Sequence, residues 1–440
     1  MIALTQTFII LFMSAFTFRR MVFVFLIFLS LAPRSLGMTM ADGSFSMTFL
    51  RMAFPAIFLL YFASILSRKT PVPNDIKALF TDKVFLLLLM LGLYKILSSS
   101  VNGTTVLYAI ENFAFSVCAF GLFYLAVTYK IFQTSNFAFL GSCALIFVIV
   151  IFELILQLPL HYNIADTALF NEDVLNGQQF GLGDRGYRVQ AIFDNSLSLS
   201  EYLVYMLPIV LYMLVISQGL QRLILFAVGA AIIFVGYKTD SRGFIICGSL
   251  STVFFALFYY WTRLSGSLKF IAVCFAIPSF MFLLYWISIS VGQFADSAAN
   301  VSFYNLQDSA ERSTYSRARQ LTEVTNVVRT RPWFGYGVLQ NYSNELEEVR
   351  RIDNYYLRTM LESGFVGLSI FLLFLGTTFI KIMSWKIDLN SKNNRAFFAF
   401  SLSILIAFTG SKMFLSMPTN NFIFFTILGM IMGLSKRLNW

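Results

Sequence analysis

Eleven arginines carry the chemistry most open to this chain: Arg185, Arg188, Arg242, Arg312, Arg317, Arg319, Arg329, Arg331, Arg350, Arg351 and Arg358. A guanidinium is permanently charged and presents a fork of donors matched to phosphate oxygens. Eight of the eleven, with nine acids, lie in a polar segment over 291–362, between stretches that are almost continuously apolar. An arginine among acids also pairs simply with its neighbours, so local context separates the candidates. Arg242 stands in Lys238-Thr239-Asp240-Ser241-Arg242-Gly243, at the start of an apolar run. A charge at that depth is costly without a partner or ligand; the alternative is snorkelling to headgroups. Arg188 precedes another apolar run, in Gly186-Tyr187-Arg188-Val189-Gln190. Arg317 and Arg319 are two residues apart on an expected helix, so they cannot share one face.

Among the acids, Asp353 lies in Arg351-Ile352-Asp353-Asn354-Tyr355-Tyr356-Leu357. A carboxylate there, close to arginines, could take a proton from a sugar hydroxyl. It could equally be a helix N-cap, a position that suits both Asp and Asn. Glu362, before Ser363-Gly364, reads as a second polar contact or a boundary residue. His161 follows Pro159-Leu160 and reads as an interface residue. It is the single histidine of the chain, which excludes a histidine-rich metal site. The four cysteines, Cys118, Cys143, Cys247 and Cys274, fall inside apolar runs without CxxC spacing. No P-loop, GxGxxG, HExxH or GxSxG motif is present. Without a nucleotide signature, the energy for a bond-forming step must come from an activated substrate.

These residues need a frame, and composition supplies it. The 440 residues are 58% hydrophobic and 12% charged, with a mean hydropathy of +0.73. Soluble domains carry about 25% charged residues. Runs of roughly 20 apolar residues, the length that crosses a bilayer, recur along the chain. The expected class is an all-α polytopic membrane protein with about 12–14 transmembrane helices. The spans are 2–18, 20–34, 47–66, 82–98, 105–128, 136–158, 197–217, 220–236, 241–261, 268–290, 364–383, 395–413 and 418–434. Continuous rather than alternating apolar runs exclude a strand barrel. Arg19-Arg20 between two apolar stretches argues against a cleaved signal peptide.

Alternate connections are basic, and the positive-inside rule sets them in the cytoplasm. The N-terminus is then expected outside and the C-terminus inside. The net charge of +10 fits such basic turns and does not require nucleic acid. The organisation is N-terminal helices over 1–158, outer loop A over 159–196, central helices over 197–290, outer loop B over 291–363 and C-terminal helices over 364–440. Loop B exceeds the length of an ordinary connection. A helix is expected from Ala310 to Arg329, with Leu321, Val324, Val327 and Val328 on its apolar face. Pro332 should stop it, Gly335-Tyr336-Gly337 should turn tightly, and Tyr355 to Met360 should run back toward the membrane. Loop B is thus expected to form a partly helical cap over a cavity open to the outside.

Several short motifs together resemble the bacterial O-antigen ligase and O-antigen polymerase superfamily. Thr239-Asp240-Ser241-Arg242-Gly243 resembles its "SRG", and Arg331-Pro332-Trp333-Phe334-Gly335-Tyr336-Gly337 its "P..G.G" turn. Asp353-Asn354-Tyr355-Tyr356-Leu357 followed by Leu361-Glu362-Ser363-Gly364-Phe365-Val366-Gly367-Leu368 is similar to its "(H/D)N.YL…E.G..GL" signature. Arg188, with Phe193 and Asn195, resembles the arginine of its preceding periplasmic loop. The resemblance runs from about Arg185 to Leu368; before it, topology alone supports the comparison.

The resemblance implies a GT-C-like, metal-independent, inverting glycosyltransferase without a cofactor, facing the periplasm from the inner membrane. Its donor and acceptor would be glycans on undecaprenyl diphosphate. Arg188, Arg242 and one of Arg317 or Arg319 would bind and stabilise the departing diphosphate. Asp353 would sit at the base position, where it either takes the base role or shapes the site, and Asn354, Tyr355 and Glu362 would contact the acceptor. Family ligases usually have histidine where this chain has Asp353, which favours a repeat-unit polymerase over a ligase acting on lipid A core. The pathway's chain-length regulator and flippase are the further partners it suggests. A transporter is the remaining alternative, but it should show internal symmetry or polar residues deep in its spans.

Overall fold

The computed structural model describes residues 22–23, 25–27, 37–39, 46–48, 73–104, 106–156, 188–193, 195–261, 309–338, 352, 354–414 and 420–438. The expected spans 2–18 and 268–290, His161 and most of loop A lie outside these residues, as do Asp353 and Cys274. Of the expected span 20–34, positions 22–23 and 25–27 are described and helical. Of 47–66, only the start is described, and it is extended rather than helical.

Strand β1 (Gly37–Thr39) pairs antiparallel with β2 (Ser46–Thr48), with Met38 opposite Met47. Everything else regular among the described residues is helical. The helices are α1 (Pro73–Thr81), α2 (Lys83–Val101), α3 (Val106–Ala126), α4 (Tyr129–Leu156), α5 (Ser196–Ile216), α6 (Gly219–Lys238), α7 (Arg242–Tyr260), α8 (Ser309–Val328), α9 (Tyr355–Met383), α10 (Lys392–Phe414) and α11 (Asn421–Arg437). Eight of them, α2 to α7 with α9 and α10, are long and apolar enough to cross a membrane. This is a multi-pass, helical membrane protein. The expected short span at 220–236 is a full 20-residue helix, and the expected 136–158 begins earlier, at Tyr129.

Turns of two or three residues join α3 to α4, α5 to α6, and α6 to α7, and of these pairs α5 and α6 pack most closely. Side chains fix several starts. Asp82 accepts from the Val84 amide, Asn195 from Ser198, Ser241 from Phe244, and Asn354 from both Tyr356 and Leu357. These caps satisfy amide groups that a helix cannot satisfy itself. In lipid, helix association depends on close packing more than on apolar burial. Gly429 and Gly433, four residues apart on α11, let it press onto α3. A Cβ at either would overlap the carbonyl of Phe120 or of Tyr124. Further contacts bring α7 and α5 against α10, and α2 against α9. Cys143 and Cys247 are buried and Cys118 is half-buried, as small residues of apolar spans.

The loop B helix forms as expected, and Pro332 follows its end. Its apolar face differs from expectation. Val324 and Val328 are fully buried against Ile352, Met360 and Leu361, whereas Leu321 is 38% exposed. Val327 packs against the same cluster, and position 321, seven residues before Val328 and so on the same face, lies outside it.

Candidate active site

One corner of the site is built by the turn from α6 to α7. Asp240 adopts φ +50°, which reverses the chain within three residues. The Ser241 hydroxyl then caps α7 and also meets the Ser200 hydroxyl at 2.8 Å, which ties the turn to α5. Arg242 is the first residue of α7 and is exposed, with no side-chain partner among the described residues. The first amides of a helix point outward and carry partial positive charge. A guanidinium at that position therefore combines two features that bind anions.

Arg188 lies on the same turn. Its Nε donates to the Thr239 carbonyl and its Nη2 to the Asp240 carbonyl, both at 2.9 Å. The Asp240 carboxylate is 3.8 Å away. The fork expected to grip phosphate thus also grips the backbone just ahead of Arg242. Arg188→Lys should lower kcat/KM for transfer by about tenfold or more, because one ammonium cannot bridge two carbonyls in a plane. Wild-type kinetics in that variant would show that charge alone suffices.

The Arg188 segment is itself anchored inside the bundle. Glu153, fully buried near the end of α4, accepts from the Gln190 amide at 2.9 Å and the Ala191 amide at 2.7 Å. Ala191 is held there at φ +53°. Sequence reasoning passed over Glu153, although a lone acid in Ile151-Phe152-Glu153-Leu154-Ile155 is costly in lipid and signals a bound partner.

The second corner is the start of α9. The Asn354 side chain caps the helix. Asn354 was expected to touch acceptor, but its Oδ1 is already engaged by two backbone amides. The Tyr356 hydroxyl donates to the Thr409 carbonyl of α10. Tyr355 is 9% exposed and packs edge-on against Phe371. Glu362, the third expected acceptor contact, is buried: Arg358 donates to one oxygen at 2.8 Å and Lys95 of α2 to the other at 3.0 Å. A second buried pair stands beside it. Lys412 of α10 lies 2.5 Å from Glu201 of α5, and both are fully buried. Tyr205 and Asn420 also donate to Glu201. Lys95, Glu201 and Lys412 had no place in the sequence reading, because each stands alone in an apolar run.

Between these corners the two glycine motifs of loop B lock together. Gly364 has φ +64° and ψ −167°, which breaks α9 and frees its backbone. The 331–337 turn enters this break. The Tyr336 amide donates to the Leu361 carbonyl at 2.8 Å, Gly337 to Glu362 at 2.9 Å, and Phe365 to Pro332 at 2.7 Å. The end of α2 closes the joint from below: Tyr94 donates to the Trp333 carbonyl, Ser98 to that of Glu362, and Asn102 to that of Gly335. At the other end of the same helix pair, Lys381 donates to Asp82. A Cβ at Gly364 would overlap the carbonyls of Pro332 and Trp333, in a backbone conformation unsuited to L side chains. Gly364→Ala should cost at least ~1–3 kcal/mol, seen as a lower Tm in nanodiscs. An unchanged Tm would show that the joint carries no stability.

Helix α8 sits against the joint through Val324 and Val328. Arg319 pairs with Glu323 one turn on, at 2.8 Å. Position 317 is seven residues before Val324, so helical spacing aligns it with the stripe that meets α9, while position 319 falls nearly opposite.

The motifs that build both corners can now be compared with known proteins. Residues 227–372 match the O-antigen ligase family. The match supports the O-antigen ligase and polymerase superfamily and points to a membrane glycosyltransferase-like enzyme. A search of curated proteins found no match. The O-antigen ligase-type region contains Arg242, Arg317, Arg319, Glu362 and Gly364, whereas Lys95, Glu153, Arg188, Glu201 and Lys412 lie outside it. The buried charges that hold the family motifs are therefore supplied largely by flanking helices.

Proposed function

We propose that this protein polymerises oligosaccharide repeat units carried on undecaprenyl diphosphate, at the periplasmic face of the inner membrane. The growing glycan moves to the incoming lipid-linked unit with inversion. An acceptor hydroxyl attacks the anomeric carbon from the face opposite the diphosphate. The new C–O bond forms as the anomeric C–O–P linkage breaks. The electron pair leaves with undecaprenyl diphosphate, and Asp353 takes the hydroxyl proton. Neither metal nor nucleotide is needed, since the donor already carries its leaving group. Arg242, with Arg188 and one of the α8 arginines Arg317 or Arg319, opposes the charge developing on that group.

The observation that carries this reading is the placing of Arg242 and Arg188 on one helix-opening turn. Transport fits less well. The buried lysines Lys95 and Lys412 meet at Tyr355, each paired with a carboxylate, and Glu153 is taken up by the Gln190 and Ala191 amides, so these charges are engaged in holding the site. The description of the matched family favours a second reading, ligation of glycan to lipid A core. Purified protein with a synthetic undecaprenyl-diphosphate repeat unit separates the two, without metal or nucleotide, by sizing the products. A ladder of lipid-linked glycans supports polymerisation. Transfer only after lipid A core is supplied overturns it in favour of ligation, and inactivity with both acceptors overturns the transfer reading.

A further inference from the structure

Two lysine ammonium groups approach one aromatic ring. Lys95 Nζ lies 5.3 Å from the centroid of Tyr355, and Lys412 Nζ lies 5.1 Å from it. The lysines come from α2 and α10, and the ring opens α9, so three helices meet at one side chain. Two cations sharing a ring would repel each other in a buried setting. Each here has a carboxylate beside it, Glu201 for Lys412 and, for Lys95, Glu362, which Arg358 shares, and these anions offset the repulsion while both ammonium groups stay near the ring. Cation–π attraction is strongest where both partners are desolvated. Lys412 is fully buried, and Tyr355 has little surface left for a sugar to stack on.

We infer that Tyr355 is a positioning residue rather than an acceptor contact: the paired lysines hold its ring and thereby fix the Asn354 cap that opens α9. The residue next to that cap in the chain is Asp353, the proposed base. A base acts only within hydrogen-bond reach of its proton, so small displacements of this turn cost rate rather than affinity. Only the kinetic part of this inference rests on the glycosyl-transfer reading.

The test uses the full-length protein in nanodiscs, with Tyr355→Phe, which keeps the ring, and Tyr355→Leu, which removes it. Backbone hydrogen exchange over Tyr356 and Leu357 reports the cap directly. Tyr355→Leu should speed it by about tenfold and Tyr355→Phe by less than about twofold. In transfer assays, Tyr355→Leu should lower kcat by about tenfold with KM changed less than about twofold, and Tyr355→Phe should restore it. Lys95→Met keeps the ring and leaves Glu362 its bond to Arg358, so it serves if Tyr355→Leu fails to fold. It should speed exchange to a value between the other two. Exchange that is the same in Tyr355→Leu as in wild type, or as fast in Tyr355→Phe as in Tyr355→Leu, overturns the inference. A raised KM with unchanged kcat overturns it in favour of acceptor stacking. A wild-type protein inactive with both acceptors would refute the transfer reading alone, and exchange would still decide whether the lysines hold the ring.

Discussion

Arg242→Ala is expected to lower transfer by about 10²–10³-fold, the usual loss when one preorganised donor to a developing charge is removed. Folding should be untouched, because the side chain is exposed and the cap of α7 belongs to Ser241. The loss should appear mainly in kcat, since charge on the departing diphosphate grows toward the transition state. Arg242→Lys should recover part of the rate, as a point charge keeps attraction without the planar fork. Steady-state kinetics in nanodiscs, with Tm as the control for folding, measures both. Normal activity in Arg242→Ala would remove this residue from the mechanism and leave the helix N-terminus without an anion to bind.

Lys412→Met is expected to give the largest loss of stability, about 3–5 kcal/mol, because it strands the Glu201 carboxylate in a fully buried site. Tyr205 and Asn420 would still donate to that carboxylate, but neither carries a compensating charge. Combining Lys412→Met with Glu201→Gln should recover most of the loss. The amide keeps a carbonyl acceptor for one of these donors, and no uncompensated charge remains. Thermal unfolding of the two variants in nanodiscs decides the matter. If the double variant is no more stable than Lys412→Met, the lysine contributes through packing on Phe408 and Tyr355 rather than through charge.

The reading of Glu362 shows where sequence reasoning stops. Its motif, its boundary position and its neighbouring glycine were all legible. Its role was not, because Lys95 lies 267 residues away and enters only when α2 packs on α9. Leu321 illustrates a smaller shift: hydrophobic spacing allowed it on the α8 face, and the contact with α9 selected Val324 and Val328 instead. Asn354, one of the two neighbouring residues whose types suit that position, caps α9.

By itself the sequence determined what local chemistry determines. Apolar length specified membrane helices, and a residue pair suited to capping stood where α9 begins. Gly335 and Gly337 marked the tight turn of loop B, and both have positive φ. Arginine at the start of α7 marked a candidate anion site. The tertiary structure alone decided which distant charges meet. Glu153 under the Arg188 loop, Lys95 with Glu362 and Lys412 with Glu201 each sit as one ionisable residue in an apolar run. Such a residue reveals that it needs a partner, since burial of a lone charge is prohibitive. It does not reveal which partner, because that depends on the rotation and register of helices packed side by side.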